Sequence, residues 1–215
     1  EGIAVGMSTS IPSHNLREVI DGVMAYIDNP QITTGELMAY MPGPDFPTGG
    51  IIANKSELPQ IYETGTGKIK LRGRFEVELG KRKADKDKLV ITEIPYTMIG
   101  AGINKFLTDV ADLVESKKLS DVVDISNQSN KEGIRIVLEL RKDADIDRIK
   151  NMLYKKTKLE DTFGVNMLAI VGGRPETLNL RGILKNFMDF QYENTEKKYR
   201  VLLSKEQEKK EVQEG

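Results

Sequence analysis

From residue 89 to residue 171 the apolar residues alternate between two spacings, and the order of that alternation leaves few architectures open to this chain. Residues 89–94 read as a strand, 103–118 as a helix, 122–126 and 134–140 as two strands, 146–156 as a second helix and 166–171 as a last strand. Asn127 to Gly133 supplies the hairpin turn between the middle two strands. Strand, helix, strand, strand, helix, strand is the order of a ferredoxin-like split βαβ plait, in which two helices cover one face of an antiparallel sheet. The predicted class is therefore α+β.

The flanks carry their own signals. Asn15 with Glu18 makes a capping-box-like start for a helix that sets Leu16, Val19, Ile20, Val23 and Ile27 on one face and stops at Asn29-Pro30. Thr33 and Glu36 repeat the signal before a short helix carrying Leu37, Met38 and Met41. The Pro/Gly-rich run 42–50 predicts a rigid, helix-free loop leading to a short strand or turn at Ile51 and Ile52. From Lys68 the period becomes two, with Ile69, Leu71, Phe75, Val77 and Leu79 on one side and Lys68, Lys70, Arg72, Arg74, Glu76 and Glu78 on the other. This predicts one half-buried strand with a bulge at Gly73, forming a hairpin with the strand at 89–94. After Pro175 a long helix is expected from Asn179, with Leu180, Ile183, Leu184, Phe187 and Phe190 at helical spacing. The expected division is 1–91 for the helical lead-in, loop and basic hairpin strand, 92–175 for the plait, and 176–215 for the long helix.

Composition removes whole classes of chemistry. The chain has no cysteine and a single histidine, His14, so it holds no disulfide framework, thiol nucleophile or Cys/His zinc site. A reducing cytoplasm suits such a chain, and no apolar run nears the roughly 20 residues that span a bilayer. Lys and Arg total 32 against 33 Asp and Glu, a net charge of -1, so any attraction to nucleic acid must come from local clustering of cations. The opening Glu1-Gly2, with no initiator methionine, and the charged carboxyl-terminal stretch read as a piece of something longer.

Two phosphate-loop look-alikes fail. Gly65-Thr66-Gly67-Lys68 has Tyr62 and Ile69 where a Walker loop needs Gly and Ser or Thr, and Gly100-Ala101-Gly102 has Lys105 where a dinucleotide fingerprint needs its third glycine. The plait's central strands carry no aromatic residue on which RNA bases could stack. Lys68, Lys70, Arg72 and Arg74 place four cations along one strand face about 6.6 Å apart, close to the spacing of successive phosphates. Charge pattern alone favours a solvated sheet face; phosphate contact is the functional alternative. Ile11-Pro12, set among Ser8, Thr9, Ser10 and Ser13 before a capped helix, reads either as a hydrophobic staple or as an apolar wedge that enters a base step and kinks DNA. His14 reads as a helix-start residue, because no carboxylate is placed by sequence to orient it as a general base.

Several motifs occur together in one order: Gly2-Ile3-Ala4-Val5-Gly6-Met7, Ile11-Pro12-Ser13-His14-Asn15-Leu16, Gly43-Pro44-Asp45-Phe46-Pro47-Thr48-Gly49-Gly50-Ile51-Ile52, Gly67-Lys68, Thr92-Glu93-Ile94-Pro95-Tyr96 and Asn104-Lys105. Over nearly its whole length the chain closely resembles the A subunit of bacterial type IIA topoisomerases, that is, of DNA gyrase and topoisomerase IV. The resemblance implies a protein that cleaves and religates duplex DNA as a homodimer. Its B-subunit partner would supply ATP hydrolysis and the carboxylates that bind Mg2+.

In that family the nucleophile is a tyrosine preceded by arginine, upstream of the segment matching Gly2 to Met7, and none of this chain's seven tyrosines follows an arginine. The resemblance thus implies a tower region and the start of a coiled-coil arm, with no catalytic residue and no metal ligand of its own. It makes Ile11 the residue that inserts between base pairs. Pro12-Ser13 stands where family members commonly have two prolines, and Met98 to Gly102 lengthens the step from Tyr96 to Asn104. That lengthening leaves the choice between gyrase and topoisomerase IV open. The competing expectation is a ferredoxin-like regulatory or assembly module that binds a small ligand or a second protomer.

Overall fold

The computed structural model describes residues 2–4 and 7–189. It is α+β, organised round two hydrophobic cores. The first is built on a three-stranded sheet: β3 (Ile51–Ile52), β4 (Thr66–Arg72) and β9 (Glu160–Asn166), with β4 in the middle. Strict alternation along β4 and β9 sends Ile69, Leu71, Phe163 and Val165 into the core and leaves Lys68, Lys70, Thr162 and Gly164 on the open face. Helices α1 (Leu16–Asp28), α2 (Thr34–Leu37) and α3 (Leu58–Thr64) pack on this core, with α6 (180–189), which contributes Leu180 and Leu184.

Both predicted caps form. Asn15 Oδ1 accepts from Glu18 N–H at 3.2 Å, and Thr33 Oγ1 accepts from Glu36 N–H at 3.2 Å. The apolar face of α1 is wider than the face it buries: Val19, Val23 and Tyr26 reach the core, while Leu16, Ile20, Met24 and Ile27 form an adjacent exposed stripe. In α6 the predicted start holds, with Asn179 Oδ1 accepting from Gly182 N–H at 2.7 Å. Phe190 and the coiled-coil arm expected after it lie outside the described residues.

The second core lies under a four-stranded sheet in the order β5 (Arg74–Glu78), β6 (Lys88–Glu93), β8 (Ile136–Leu140), β7 (Val122–Asn127), with every neighbouring pair antiparallel. Phe106 and Val110 of α4 (Ala101–Glu115) and Ile149 and Leu153 of α5 (Ile146–Lys156) cover Leu89, Ile91, Ile136 and Leu138. Strands β6, β8 and β7 stand as the first, third and second strands of the predicted plait would. The fourth place is different, and two expectations are corrected here.

First, the strand predicted from Lys68 to Leu79 is two strands in two sheets. Gly73, expected as a bulge, is where the chain changes sheet: its N–H donates to Leu159 O at 2.9 Å and its carbonyl accepts from Tyr154 O–H at 2.7 Å. A Cβ there would lie 2.5 Å from Leu159 Cδ1 and 2.9 Å from Glu93 O, so only glycine lets the segments meet. Second, the strand predicted at 166–171 does not close the plait. Its place beside β6 is taken by β5, joined to β6 by the nine residues 79–87, a closure that costs less entropy than a return from beyond α5. The chain after α5 instead forms β9, whose Phe163 and Val165 complete the first core beside β4. It then forms a separate hairpin of β10 (Leu168–Val171) and β11 (Arg174–Thr177). At the amino terminus β1 (Gly2–Ala4) and β2 (Met7–Thr9) make another small hairpin.

Candidate nucleic-acid interface

Ile11 sits on a segment fastened at both ends. Before it, Ser10 exchanges backbone hydrogen bonds with Asn166 at 3.0 and 2.9 Å, and Thr9 Oγ1 donates to Leu168 O at 2.9 Å, tying the segment to the end of β9. After it, Ser13 and Asp45 are joined twice, by Asp45 N–H to Ser13 O at 2.8 Å and Ser13 Oγ to Asp45 O at 2.9 Å. Pro12 is buried between these anchors. Ile11 belongs to neither core and is 40% exposed. An isoleucine left that open on a segment so constrained presents an apolar tip with little conformational freedom to lose on contact.

His14 completes the anchoring. Its Nδ1 lies 2.8 Å from Pro12 O and its Nε2 2.7 Å from Tyr62 Oη. A carbonyl only accepts, so Nδ1 carries the proton, Nε2 accepts, and Tyr62 O–H is the donor. Burial lowers the imidazole pKa below its ordinary 6.5, opposed by the hydrogen bond to Pro12 and by the charge of Asp45. Burial, helped by the charge of Glu18, pushes the Tyr62 phenol well above its ordinary value, so it remains a donor at neutral pH. Both ring nitrogens of His14 are therefore engaged in structure, which agrees with a helix-start role and leaves neither free for acid-base work.

Three of the sequence motifs converge here. The loop 42–50 is held by the Ser13–Asp45 pair, by Gly50 N–H donating to Glu93 Oε1 at 3.2 Å, and by the ring of Phe46 against Tyr96 and Phe163 at 5.7 and 5.3 Å. A side chain on Gly49 would occupy the position of the Glu93 carboxylate.

The basic stripe divides into two halves with different roles. Lys68 and Lys70 lie exposed on the open face of β4, opposite Gly164 and Thr162 of β9, and neither forms an ion pair among the described residues. Arg72 Nε instead meets Glu160 Oε2 at 2.6 Å, with its guanidinium 5.0 Å from the centre of the Tyr154 ring. Arg74 lies beyond Gly73 in the other sheet and pairs with Glu93. Its place on one continuous four-cation face is thus corrected by the sheet change at Gly73.

Sequence reasoning missed the group that finishes the β4 edge. β3 ends at Ile52, and the Asn54 side chain takes over the pairing: its Nδ2 donates to Lys68 O and its Oδ1 accepts from Lys70 N–H, both at 2.8 Å. An amide copying a backbone peptide unit leaves no periodic signal. The resulting surface is an open β4–β9 face with two free cations and polar neighbours, backed by a rigid core. Among the described residues no group of three or more His, Cys, Asp or Glu is placed to hold a metal ion, and no helix is long and apolar enough to cross a membrane.

The family model for the A subunit of DNA gyrase/topoisomerase IV matches residues 1–215. The A subunit of DNA gyrase from Clostridium acetobutylicum is 47% identical over 190 residues, 88% of this chain and 22% of that protein. Its counterpart from Synechocystis sp. is 43% identical over 216 residues and that from Staphylococcus epidermidis 41% over 215, each covering 100% of this chain. The chain spans about a quarter of the length of these relatives, 25% and 24% for the last two. With its full length matched, the chain belongs to the family of DNA gyrase and topoisomerase IV A subunits.

Proposed function

We propose that this chain is the part of a type II topoisomerase's DNA cleavage and religation subunit that grips and bends the duplex to be cut: the tower and the beginning of the coiled-coil arm. The observation that carries the reading is Ile11, exposed on a segment anchored by Asn166, Asp45 and Tyr62, in a family member whose nearby β4 face offers Lys68 and Lys70. The apolar tip enters a base step, and the cations hold phosphates without regard to sequence. Unstacking a step costs a few kcal/mol, offset by contacts that only bent DNA makes.

The cleaving tyrosine is assigned to residues upstream, and Mg2+ and ATP to the B-subunit partner. The working enzyme is a cytoplasmic homodimer of this subunit joined to that partner.

The test uses the full-length protein carrying this sequence, with a duplex labelled at both ends. Ile11→Ala removes the side chain beyond Cβ and is expected to keep measurable affinity while end-to-end energy transfer shows less bending and cleavage falls in parallel. Full bending by a folded Ile11→Ala protein would return Ile11 to a staple residue. Stabilisation by a small ligand, with no salt-dependent DNA binding, would favour the regulatory-module reading.

A further inference from the structure

We infer that the phosphate-binding surface continues beyond β4 into a lysine-lined depression between the start of α4 and the end of α5, and that this depression holds the backbone of the same duplex. The inference rests on the DNA-gripping reading above and extends it to residues on other elements.

The depression has a volume of about 490 Å³, and its walls include Lys105 from α4, Lys155 and Lys156 from the last turn of α5, Lys158 from the following turn, and the carboxylates of Asp109 and Glu160. The four cations face two wall carboxylates, of which Glu160 is held by Arg72 at 2.6 Å and Asp109 by Lys105, one of the four, at 3.9 Å. Lys158 lies 3.8 Å from Asp161, and Lys155 and Lys156 have no carboxylate partner among the described residues.

Helix termini explain part of this. Lys155 and Lys156 complement the partial negative charge at the end of α5. Lys105 and Lys158 pair with Asp109 and Asp161 on their own segments, yet their side chains stay 67% and 62% exposed, open to a second anion on the same depression. Converging cations repel one another, and a bound polyanion relieves the repulsion.

Continuity with β4 comes from shared residues. Glu160 stands opposite Arg72 in the sheet register and also lines the depression. Tyr154 forms part of the same wall, lies under the Arg72 guanidinium at 5.0 Å and donates to Gly73 O at 2.7 Å. Going along β4 from Lys68 through Lys70 to Arg72 covers about 13 Å at roughly 3.3 Å per residue, the rise of about four base pairs. The depression begins where that walk ends. Its cations are all lysines, which suits a polymer of phosphates met by several point charges, in contrast to the planar arginine forks and backbone N–H cradles that fix a single small anion.

The test is fluorescence anisotropy of the chain with a 30-base-pair duplex from about 50 to 200 mM salt, where each phosphate contact adds about 0.9 to the slope of log K against log salt. Lys155→Gln/Lys156→Gln is expected to lower the slope by about 1.8, Lys68→Gln/Lys70→Gln by a similar amount, and the combined variant by about the sum. Lys155→Arg/Lys156→Arg should retain the parent slope. All four positions are exposed, so melting by circular dichroism should match the parent, and a variant that fails this is replaced by its single substitutions. A reduced slope for the β4 pair with none for the α5 pair overturns the extension and leaves the DNA-gripping reading standing. No change for either pair refutes the reading itself. Stabilisation by tripolyphosphate that the α5 pair abolishes, with an unchanged DNA slope, would make the depression a site for small polyphosphates and also overturns the inference.

Discussion

Replacing Tyr62 by phenylalanine deletes one oxygen atom beneath the Ile11 segment and little else. Tyr62 is 1% exposed and its ring belongs to the first core, so the phenylalanine ring keeps the apolar contacts. The lost group is the O–H that donates to His14 Nε2 at 2.7 Å. His14 cannot compensate by changing tautomer, because Nδ1 must keep its proton to donate to Pro12 O at 2.8 Å. The variant therefore strands an acceptor nitrogen in a half-buried site, at a cost of about 1–2 kcal/mol, the lower part of the range for an unsatisfied buried group. In a chain of this length each kcal/mol moves the midpoint by about 2–4 °C, so Tm should fall by about 2–8 °C. Because His14 is the sole histidine, its ring nitrogens give unambiguous 15N signals. The parent should show Nδ1 protonated and Nε2 as a hydrogen-bonded acceptor. In Tyr62→Phe the Nε2 signal should move to that of an unbonded acceptor and the pKa should rise, since the hydrogen bond had favoured the neutral ring. Melting within about 1 °C of the parent, with unchanged nitrogen shifts, would refute the anchoring argument and leave Ser13 and Asp45 as the segment's main restraint.

Acid should weaken the fold through the same imidazole. The folded-state pKa of His14 lies below 6.5, so the unfolded chain binds the proton first; stability is whole above about pH 6.5, declines as pH falls through that value, and levels off below the folded pKa, and His14→Gln should flatten this stretch of a urea-midpoint profile. Gly73→Ala should cost about 1–3 kcal/mol in urea unfolding, since the new methyl group meets Leu159 Cδ1 at 2.5 Å and a backbone carbonyl at 2.9 Å. Asn54→Ala removes both 2.8 Å bonds at the β4 edge and should cost about 1–2 kcal/mol, with faster amide exchange at Lys70 as the local readout.

What could be read from the sequence was local. Asn15 and Glu18, or Thr33 and Glu36, announce a helix start because the residues that give the signal also make the bond. Ile11-Pro12 could be picked out because an apolar pair among hydroxylated residues lacks a periodic partner. The sheet change at Gly73 leaves no such mark: Ile69, Leu71, Phe75 and Val77 keep one phase straight through it, and what divides them is Leu159, far along the chain. β9 was hidden for a related reason, since Glu160–Asn166 offers only Phe163 and Val165 as core residues, too few to outweigh its polar and glycine positions. The roles of Arg72 and Arg74 depended on carboxylates brought up by other strands. Only the assembled sheets separate those paired cations from the free Lys68 and Lys70.

The hydrogen bond between Gly73 N–H and Leu159 O, 2.9 Å long, closes a neck. Everything in the second core, from Phe75 to Leu159, is one uninterrupted length of chain bracketed by the two residues that meet there, whereas the first core is assembled from pieces on either side of it. The consequence is temporal. During synthesis the second core has all of its strands and helices before β9 has been made, so it can close on its own, while Ile69 and Leu71 wait with one flank of β4 uncovered. When β9 arrives, the finished unit has already drawn Gly73 and Leu159 together, and a pairing between residues as distant as Arg72 and Glu160 becomes the zipping of two neighbouring strands from a pre-formed junction. The face that carries Lys68 and Lys70 is therefore among the last parts of this chain to take shape.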